Sequence, residues 1–451
     1  MFKYKKLLLF TLITLISVLA ISFWSITSKG YDRQNKIILF LKKIIPAHIA
    51  RSIRETVFFI PNLKQRNEFL KIQVDKYEQG LDGKLFNQTL VKSKNNKKFE
   101  IKEFFLPFPR LDTRLGWAAT ENSKRAHYLE VVNDKVLVIS GLGQTIIFDK
   151  KNINSKQLEQ TNIPNNLNNY LKKNNLNLIG IRDLFVDDNF VYISLVHKER
   201  KGITINVYRA PLNTNRLTFL KFFETNEYWE NYNVFSGGRL EKYKDNKILF
   251  SIGFSGIPKV SQNKNSLLGK IISIDKNTSK YELISIGHRN PQGLYYEASR
   301  NLVINSEHGP KGGDEINLNF QNHKDVPNYG WDIASYGSPY KGEDFFKKSH
   351  KKHGFVEPFK NFTPSIGISE IVSVTKDKNF FNNGNTIFAS SLRAGSIYMI
   401  ETDEKFQKII SEDRLFFKEQ RIRDLKFDED LKILFVLFEH TPSIGTINYL
   451  N

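Results

Sequence analysis

Short apolar runs separated by polar turns follow one another along most of the chain beyond residue 100. Six units share one order, in which a strand-like stretch, a polar turn and a second apolar stretch succeed each other. Runs of this length between polar turns are typical of β-strands. The units begin near Leu129, Leu184, Leu240, Leu294, Ile371 and Leu425. The pattern therefore predicts an all-β protein.

These units recur at a nearly constant interval. Successive units begin 54 to 56 residues apart, except for one interval of 77 residues after Leu294. The second and sixth units also share sequence, since the run Ile181–Leu184 (IRDL) recurs at Ile422–Leu425. Each interval has room for about four short strands, which is one propeller blade. We therefore expect a six-bladed β-propeller.

Closure of the propeller and the long interval give two further expectations. A strand near Phe99–Phe105 is expected to pair with the last strands near Ile447, because a propeller ring is closed by joining its two ends. The loop of residues 319–364 occupies the long interval and is expected to cover one end of the central channel. Loops from all blades meet at that end, so residues distant in sequence can form one site there.

The N-terminal 28 residues have a different character. Three lysines within the first six residues precede an uncharged, mainly apolar run from Leu7 to about Ile26. About 20 such residues match the hydrocarbon thickness of a bilayer. The run predicts a membrane signal anchor over residues 1–28. A cleaved signal peptide is the alternative, because Val18 and Ala20 form a small-residue cleavage site.

Residues 29–95 are apolar and basic together, at roughly helical spacing. They predict either amphipathic helices on the membrane surface or a short helical lead-in packed against the main domain. The propeller is assigned to residues 96–451. We expect the protein in the cell envelope, anchored in the inner membrane with its propeller in the periplasm, or secreted to the periplasm after signal cleavage.

Composition narrows the chemistry. The chain has no cysteine, which excludes disulfides, zinc–thiolate sites, iron–sulfur clusters and thiol catalysis. Its formal net charge is +20. The lysines lie mostly in loops rich in Asn and Lys, and no nucleic-acid-binding motif accompanies them. A solvated basic surface, with attraction to anionic lipid as the alternative, therefore accounts for the charge better than a nucleic-acid partner.

Residues 287–331 carry the densest group of unusual polar residues. Arg289 and Asn290 stand beside a Pro turn, the run Ser306–Pro310 (SEHGP) ends a strand, and the acidic pair Asp314 and Glu315 follows. Carboxylates are hard oxygen donors, which suit calcium rather than zinc. Polar residues at both ends of one short strand indicate a site rather than a plain core.

This block resembles the glucose/sorbosone dehydrogenase family, because GHRNPQGL, SEHGPKGGDEIN and NYGW follow in order at that family's spacing. The resemblance extends from about Ser236 to Asp424. It implies a dehydrogenase for sugars or other alcohols that uses pyrroloquinoline quinone (PQQ). It also implies that Arg289 and Asn290 contact the quinone and that the carbonyls of Gly309 and Pro310 hold calcium against it.

Further cations match that assignment. Arg421 and Arg423 begin the sixth unit, and Arg393 ends a strand of the fifth, where the family has a lysine. Guanidinium groups suit the three carboxylates of PQQ. The predicted quinone contacts are therefore Arg289, Asn290, Arg393, Arg421 and Arg423, and the predicted metal site is Gly309, Pro310, Asp314 and Glu315.

One departure puts the chemistry in doubt. The family places a histidine, its general base, four residues before an arginine that matches Arg239, and Phe235 stands there. Phenylalanine cannot accept a proton, so the catalytic base is unknown. Phe254 also stands where relatives commonly have aspartate. The alternative to a dehydrogenase of low or lost activity is therefore a non-catalytic envelope propeller that binds a glycan or another anionic ligand.

Overall fold

The computed structural model describes residues 80–108, 126–230, 235–340, 346–376, 380, 384–418 and 420–450. The strands in these ranges are β1 (Leu85–Lys92), β2 (Lys98–Phe105), β3 (His127–Val132), β4 (Lys135–Ser140), β5 (Thr145–Asp149), β6 (Thr161–Asn162), β7 (Asn177–Asp187), β8 (Phe190–Glu199), β9 (Gly202–Pro211), β10 (Leu220–Glu224), β11 (Gly237–Tyr243), β12 (Lys247–Ile252), β13 (Lys270–Asp275), β14 (Tyr281–Ile286), β15 (Pro291–Glu297), β16 (Leu302–Glu307), β17 (Asp314–Phe320), β18 (Lys360–Phe362), β19 (Ile368–Val374), β20 (Asn385–Ser391), β21 (Ser396–Thr402), β22 (Ile409–Phe416), β23 (Ile422–Asp428), β24 (Ile433–Phe438) and β25 (Ser443–Leu450). The helices are α1 (Leu167–Lys173) and the 3-10 turns Lys150–Asn154, Val260–Gln262, Ala298–Arg300 and His350–His353.

The strands form six antiparallel sheets, one for each predicted unit. Blades 1 to 5 are β3–β6, β7–β10, β11–β14, β15–β18 and β19–β22, and blade 6 has the order β1-β2-β25-β24-β23. The innermost strands β3, β7, β11, β15, β19 and β23 contact one another in succession, and β23 contacts β3. The six-bladed propeller predicted from the repeat is confirmed.

Blade 6 joins the two ends of the ring. Strand β2 pairs antiparallel with β25 along its full length, and Ile101 lies opposite Ile447. The predicted closure is therefore confirmed. Strand β1 adds a fifth, outer strand to this blade. The segment assigned to residues 29–95 thus ends in a propeller strand.

The hydrophobic core lies between neighbouring blades. In one cluster, Phe388 and Met399 of blade 5 pack with Leu434 and Val436 of blade 6. A cation and three acids fill the axis itself. Polar groups at the centre of the ring must pair, because burial without a partner is strongly unfavourable.

We call this central group the hub: Arg239 with Asp183, Glu370 and Asp424. One nitrogen of Arg239, Nη1, lies 2.9 Å from Asp183, 2.8 Å from Glu370 and 3.1 Å from Asp424. All four side chains are buried. Asp183 and Asp424 are the aspartates of the repeated IRDL sequence, so the repeat places both acids at the axis.

Each hub acid also bridges to the next blade. Asp183 accepts the backbone N–H of Leu240, Asp424 that of Leu129, and Glu370 that of Leu294. These bonds join blades 2 and 3, blades 6 and 1, and blades 5 and 4. Arg239 connects the three pairs, so the hub ties all six blades together.

The predicted anchor over residues 1–28 lies outside the described residues, as does most of the predicted lead-in. No helix of the described part is long and apolar enough to cross a membrane. The anchor and the envelope location therefore stay predictions.

Candidate functional site

Three of the five predicted quinone contacts come together at one end of the channel. Asn290 immediately precedes β15, and Arg421 and Arg423 lie at the start of β23. Arg423 donates to the side chain of Gln292 at 3.2 Å, and Gln292 donates to Asn290 Oδ1 at 3.2 Å. Because the inner strands surround one axis, residues that begin two different strands meet here.

Glu307 fixes the backbone of the Arg–Asn pair. Its carboxylate accepts the N–H groups of Arg289 and Asn290, the second at 3.3 Å. It also contacts His288 Nδ1 at 2.9 Å, while Ser285 binds the other ring nitrogen at 2.7 Å. Glu307, from the sequence SEHGP, and His288 thus orient the loop that presents Arg289.

Aromatic rings surround the Arg289 side chain. Its guanidinium carbon lies 4.4 Å from the centre of the Phe235 ring, 5.7 Å from that of Phe254 and 5.1 Å from that of Trp331. We call these three rings the aromatic box. Such contacts stabilise a cation. Phe235, at the family's base position, therefore faces the cationic site rather than the interior of a blade.

The long loop contributes Trp331, as its expected covering position requires. The centre of the Trp331 ring lies 5.4 Å from that of Phe254 and 5.0 Å from that of Phe346, which belongs to the same loop. A histidine in a long polar loop is expected at the surface, and His323 and His353 are exposed. His350 is instead 1% exposed, with Glu315 at 3.6 Å and the centre of the Tyr336 ring 5.5 Å from its own.

A carboxylate that sequence reasoning missed pairs with two of the arginines. Glu439, directly after β24, contacts Arg421 Nε at 2.7 Å and Arg423 Nε at 2.6 Å, and its side chain is fully buried. Glu439 directly follows the second strand of blade 6, and Arg393 lies two residues beyond the second strand of blade 5. This similar place at the end of a strand is the signal that could have revealed Glu439. Glu439 holds both guanidinium groups in fixed orientations.

Arg393 is placed differently. It follows β20, its side chain is exposed, and its backbone N–H donates to Ile366 at 3.1 Å. Among the described residues, its guanidinium forms no ion pair. The structure thus leaves Arg393 at the surface, outside the contacts that join Arg423 to Asn290.

The predicted metal residues Asp314 and Glu315 lie in β17 and are buried, not in a solvated loop. Asp314 accepts backbone N–H groups from Gly309 at 3.1 Å, Gly367 at 2.7 Å and Ile368 at 3.1 Å. Burial alone would raise the pKa of Asp314, but His308 and these N–H groups outweigh it and lower the pKa. The carboxylate therefore organises the loop.

Glu315 is buried beside a second carboxyl group, that of Glu307. Burial, and then the neighbouring Glu307, raises the pKa of Glu315 well above its usual range, which favours the neutral acid. The carbonyl of Pro310 already accepts the hydroxyl of Ser365 at 3.2 Å. Within the described ranges, no group of three or more His, Asp or Glu side chains could hold a metal ion. The carboxylate of Asp314 is already occupied by backbone N–H groups, and Gly309, Pro310 and Glu315 remain predicted calcium ligands.

An Asp314→Asn variant tests this structural role. It is expected to unfold with a free energy lower by about 1–3 kcal/mol, because one oxygen acceptor becomes a nitrogen that faces backbone N–H donors. Urea unfolding at neutral pH measures the loss. Asp332→Asn is the control, since Asp332 accepts one exposed N–H from Lys259. Full stability together with loss of calcium-dependent stabilisation would instead assign Asp314 to a metal.

A separate groove lies away from the channel end. This groove of about 580 Å³ lies between blades 6 and 1, and its lining includes Phe108, Gln144 and Gln160 but none of the predicted site residues. The channel end, where charged groups converge, is therefore the candidate site on chemistry rather than on volume.

Known proteins are similar to this chain in sequence. A model of the family described as glucose/sorbosone dehydrogenase matches residues 126–444. An uncharacterized protein of Synechocystis is 32% identical over 276 residues, which are 56% of this chain and 65% of that protein. An aldose sugar dehydrogenase of Escherichia coli is 28% identical over 212 residues, 43% of this chain and 54% of that enzyme. The chain thus spans less than two thirds of the length of either relative.

Solved structures show the same fold at low identity. A glucose dehydrogenase superposes with a TM-score of 0.60 at 20% identity, over 73% of this chain and 98% of that one. The PQQ-bound aldose sugar dehydrogenase of Streptomyces coelicolor gives a TM-score of 0.51 at 17% identity, over 72% and 98% of the two chains. Since the family model covers most of the chain, the protein belongs to the glucose/sorbosone dehydrogenase family.

Proposed function

We propose that the protein is a PQQ-dependent oxidoreductase of the cell envelope that acts on the CH–OH group of a sugar or another alcohol. The observation that carries the proposal is the joint placement of Asn290, Arg421 and Arg423 at one channel end. Family membership supports it, as do relatives described as an aldose sugar dehydrogenase and a quinoprotein glucose dehydrogenase.

The residues present fit an anionic, planar cofactor. Arg421 and Arg423 bring two positive charges against the single carboxylate of Glu439, and Arg289, next to Asn290 in the loop before β15, adds a third. A guanidinium group pairs with a carboxylate through two parallel hydrogen bonds. Arg289, Asn290, Arg421 and Arg423 would hold the quinone, with Arg393 at the rim. Bound there, PQQ would supply the hydride acceptor for alcohol oxidation.

The weak point of this chemistry is proton removal. Oxidation of an alcohol requires that its hydroxyl proton be taken up as hydride leaves the carbon, and Phe235 cannot take it. The phenyl ring lies against Arg289 and excludes water from that face of the guanidinium. We therefore expect binding of the cofactor with slow turnover.

Titration calorimetry of PQQ into the full-length chain, with and without calcium, tests the proposal. Saturable binding is expected, and Arg421→Ala is expected to weaken it roughly tenfold to a hundredfold, because a charge-assisted contact is lost. Arg209→Ala is the matched control, since Arg209 lies between Phe190 and Phe222 on blade 2. No saturable binding by the unaltered chain would contradict the proposal, and an unaffected Arg421→Ala variant would place the ligand elsewhere.

One observation favours a second candidate function. Phe235 and Phe254 pack together at 5.4 Å and form an apolar wall beside the cations. A non-catalytic propeller that binds a glycan or another anionic ligand needs such a wall but no base. In that case the chain would bind its ligand and never reduce a redox dye when a sugar is supplied.

A further inference from the structure

Three carboxyl groups of the hub compete for one nitrogen atom. Arg239 Nη1 donates to Asp183 at 2.9 Å and to Asp424 at 3.1 Å. Glu370 Oε2 lies 2.8 Å from the same atom. A guanidinium NH₂ group carries two hydrogens, so it cannot serve three acceptors at once. One carboxyl oxygen therefore receives no hydrogen from this group.

The other hydrogen bonds of the hub show which oxygen that is. Both oxygens of Asp183 and of Asp424 already accept, one from Arg239 and one from a backbone N–H. Glu370 Oε1 accepts the N–H groups of Leu294 and Ile371 at 3.1 and 2.8 Å. This leaves Glu370 Oε2, which shares Arg239 Nη1 with one oxygen of Asp183 and one of Asp424.

The hub also supports the candidate site. Arg239 Nε donates to the carbonyl of Gln292 at 2.7 Å, and Nη2 donates to that of Arg423 at 3.0 Å. The side chains of these two residues form the chain of contacts that reaches Asn290. A change of charge in the hub is thus transmitted to the backbone on which the site is built.

We propose that Glu370 is a protonated positioning residue, whose Oε2 carries a proton donated to Asp183 or Asp424 and thereby completes the hub beneath the candidate site. This proposal deepens the proposed function. Its test by PQQ binding rests on that function, whereas its test by unfolding does not.

The surroundings favour the proton. The titratable and charged groups facing the hub, from each inner strand that carries one, are Tyr128, Glu130, Arg182, Glu241, Arg423 and Lys426. Lys426 is 3.0 Å from Glu130, and Arg423 is paired with Glu439, so these cations are engaged elsewhere. Burial raises the pKa of Glu370 well above its usual range despite Arg239, and Asp424 and Asp183 add to it. Burial likewise raises the pKa of Asp183 to about 7.

The sign of the pH dependence follows from these directions. A carboxyl group with a raised pKa in the folded state stabilises the fold fully below its unfolded pKa of about 4. That contribution is lost as pH rises through the folded pKa of Glu370, which lies well above the usual range of a glutamate. Between these limits one such proton changes the unfolding equilibrium constant by up to ~10-fold per pH unit.

Unfolding by urea from pH 4 to 9 tests the proton with the full-length chain. Glu370→Gln supplies a permanent N–H in place of the proton. Its plot of unfolding free energy against pH should therefore be less steep than the wild-type plot by the contribution of one proton. Glu401→Gln is the matched control, because Glu401 is a buried glutamate that is paired with Lys97. The pKa of Glu401 is lowered rather than raised. Wild-type and Glu370→Gln curves that stay parallel would overturn the proposal. They would mean that Glu370 is ionised and hydrated in the adjacent cavity of about 20 Å³, which has room for one water.

PQQ titrations over the same pH range test the link to the site. Wild-type affinity should fall as pH rises and Glu370→Gln affinity should not, whereas Glu370→Met should bind weakly at every pH. If Glu370 were purely structural, the affinities of the wild type and of both variants would depend on pH in the same way. That result would overturn the positioning role. Complete absence of PQQ binding would contradict the proposed function, and the unfolding curves would then decide on the proton alone.

Discussion

An Arg239→Met variant is expected to lose about 3–5 kcal/mol of unfolding free energy, because three buried carboxyl groups lose their common cation. Arg239 is 2% exposed, and its contacts reach acids on three other blades. Methionine has a similar length but supplies no charge or donor. Urea unfolding at neutral pH measures the change.

Two variants complete this test. Arg209→Met removes an arginine that lies between two phenyl rings at a blade edge, and we expect a much smaller loss there. Adding Glu370→Gln, Asp183→Asn and Asp424→Asn to Arg239→Met should recover part of the stability, since the uncompensated negative charge is then absent. A stable Arg239→Met variant would show that the hub does not hold the ring together.

A Phe235→His variant is expected to oxidise sugar ~10²-fold faster than the wild-type chain with PQQ bound, because a general base contributes at least that factor. The ring at position 235 lies 4.4 Å from the guanidinium of Arg289, so an imidazole there would face the same ligand. A dye-linked assay with glucose and PQQ measures the rate, and its pH profile should show a new group that titrates near the usual pKa of histidine.

Phe254→His is the matched control, since Phe254 belongs to the same aromatic box but its ring centre lies 5.7 Å from the Arg289 guanidinium, at a position that does not match the family's base histidine. It should leave the rate low. Equal rates for wild type and Phe235→His, with the cofactor bound in both, would mean that another residue takes the proton.

The repeat made the architecture predictable, because the spacing from Leu129 to Leu425 and the pairing of β2 with β25 both follow from local patterns. The hub was not predictable in the same way. Asp183 and Asp424 were visible as a repeated pair, but their convergence with Glu370 on Arg239 depends on side chains from four blades. Sequence shows which residues begin inner strands and does not show which of them meet.

The site was predicted in part, for a similar reason. Arg289, Asn290, Arg421 and Arg423 lie in motifs, and motifs locate backbone positions. Glu439 and Gln292 decide how those arginines are paired, and each reaches them only through the fold. Asp314 and Glu315 were predicted as calcium ligands because carboxylates supply hard oxygen donors, whereas the strand β17 buries both and backbone N–H groups occupy Asp314.

We expect the chain to bind PQQ but to reduce it slowly, because Phe235 stands where a base is needed. The most direct test is to load the full-length chain with PQQ, add glucose without oxygen, and record the absorption spectrum of the quinone over time. The account predicts that the quinone binds and is reduced about a hundred times more slowly than in Phe235→His. A wild-type chain that reduces bound quinone as fast as the variant, or one that takes up no quinone, would contradict it.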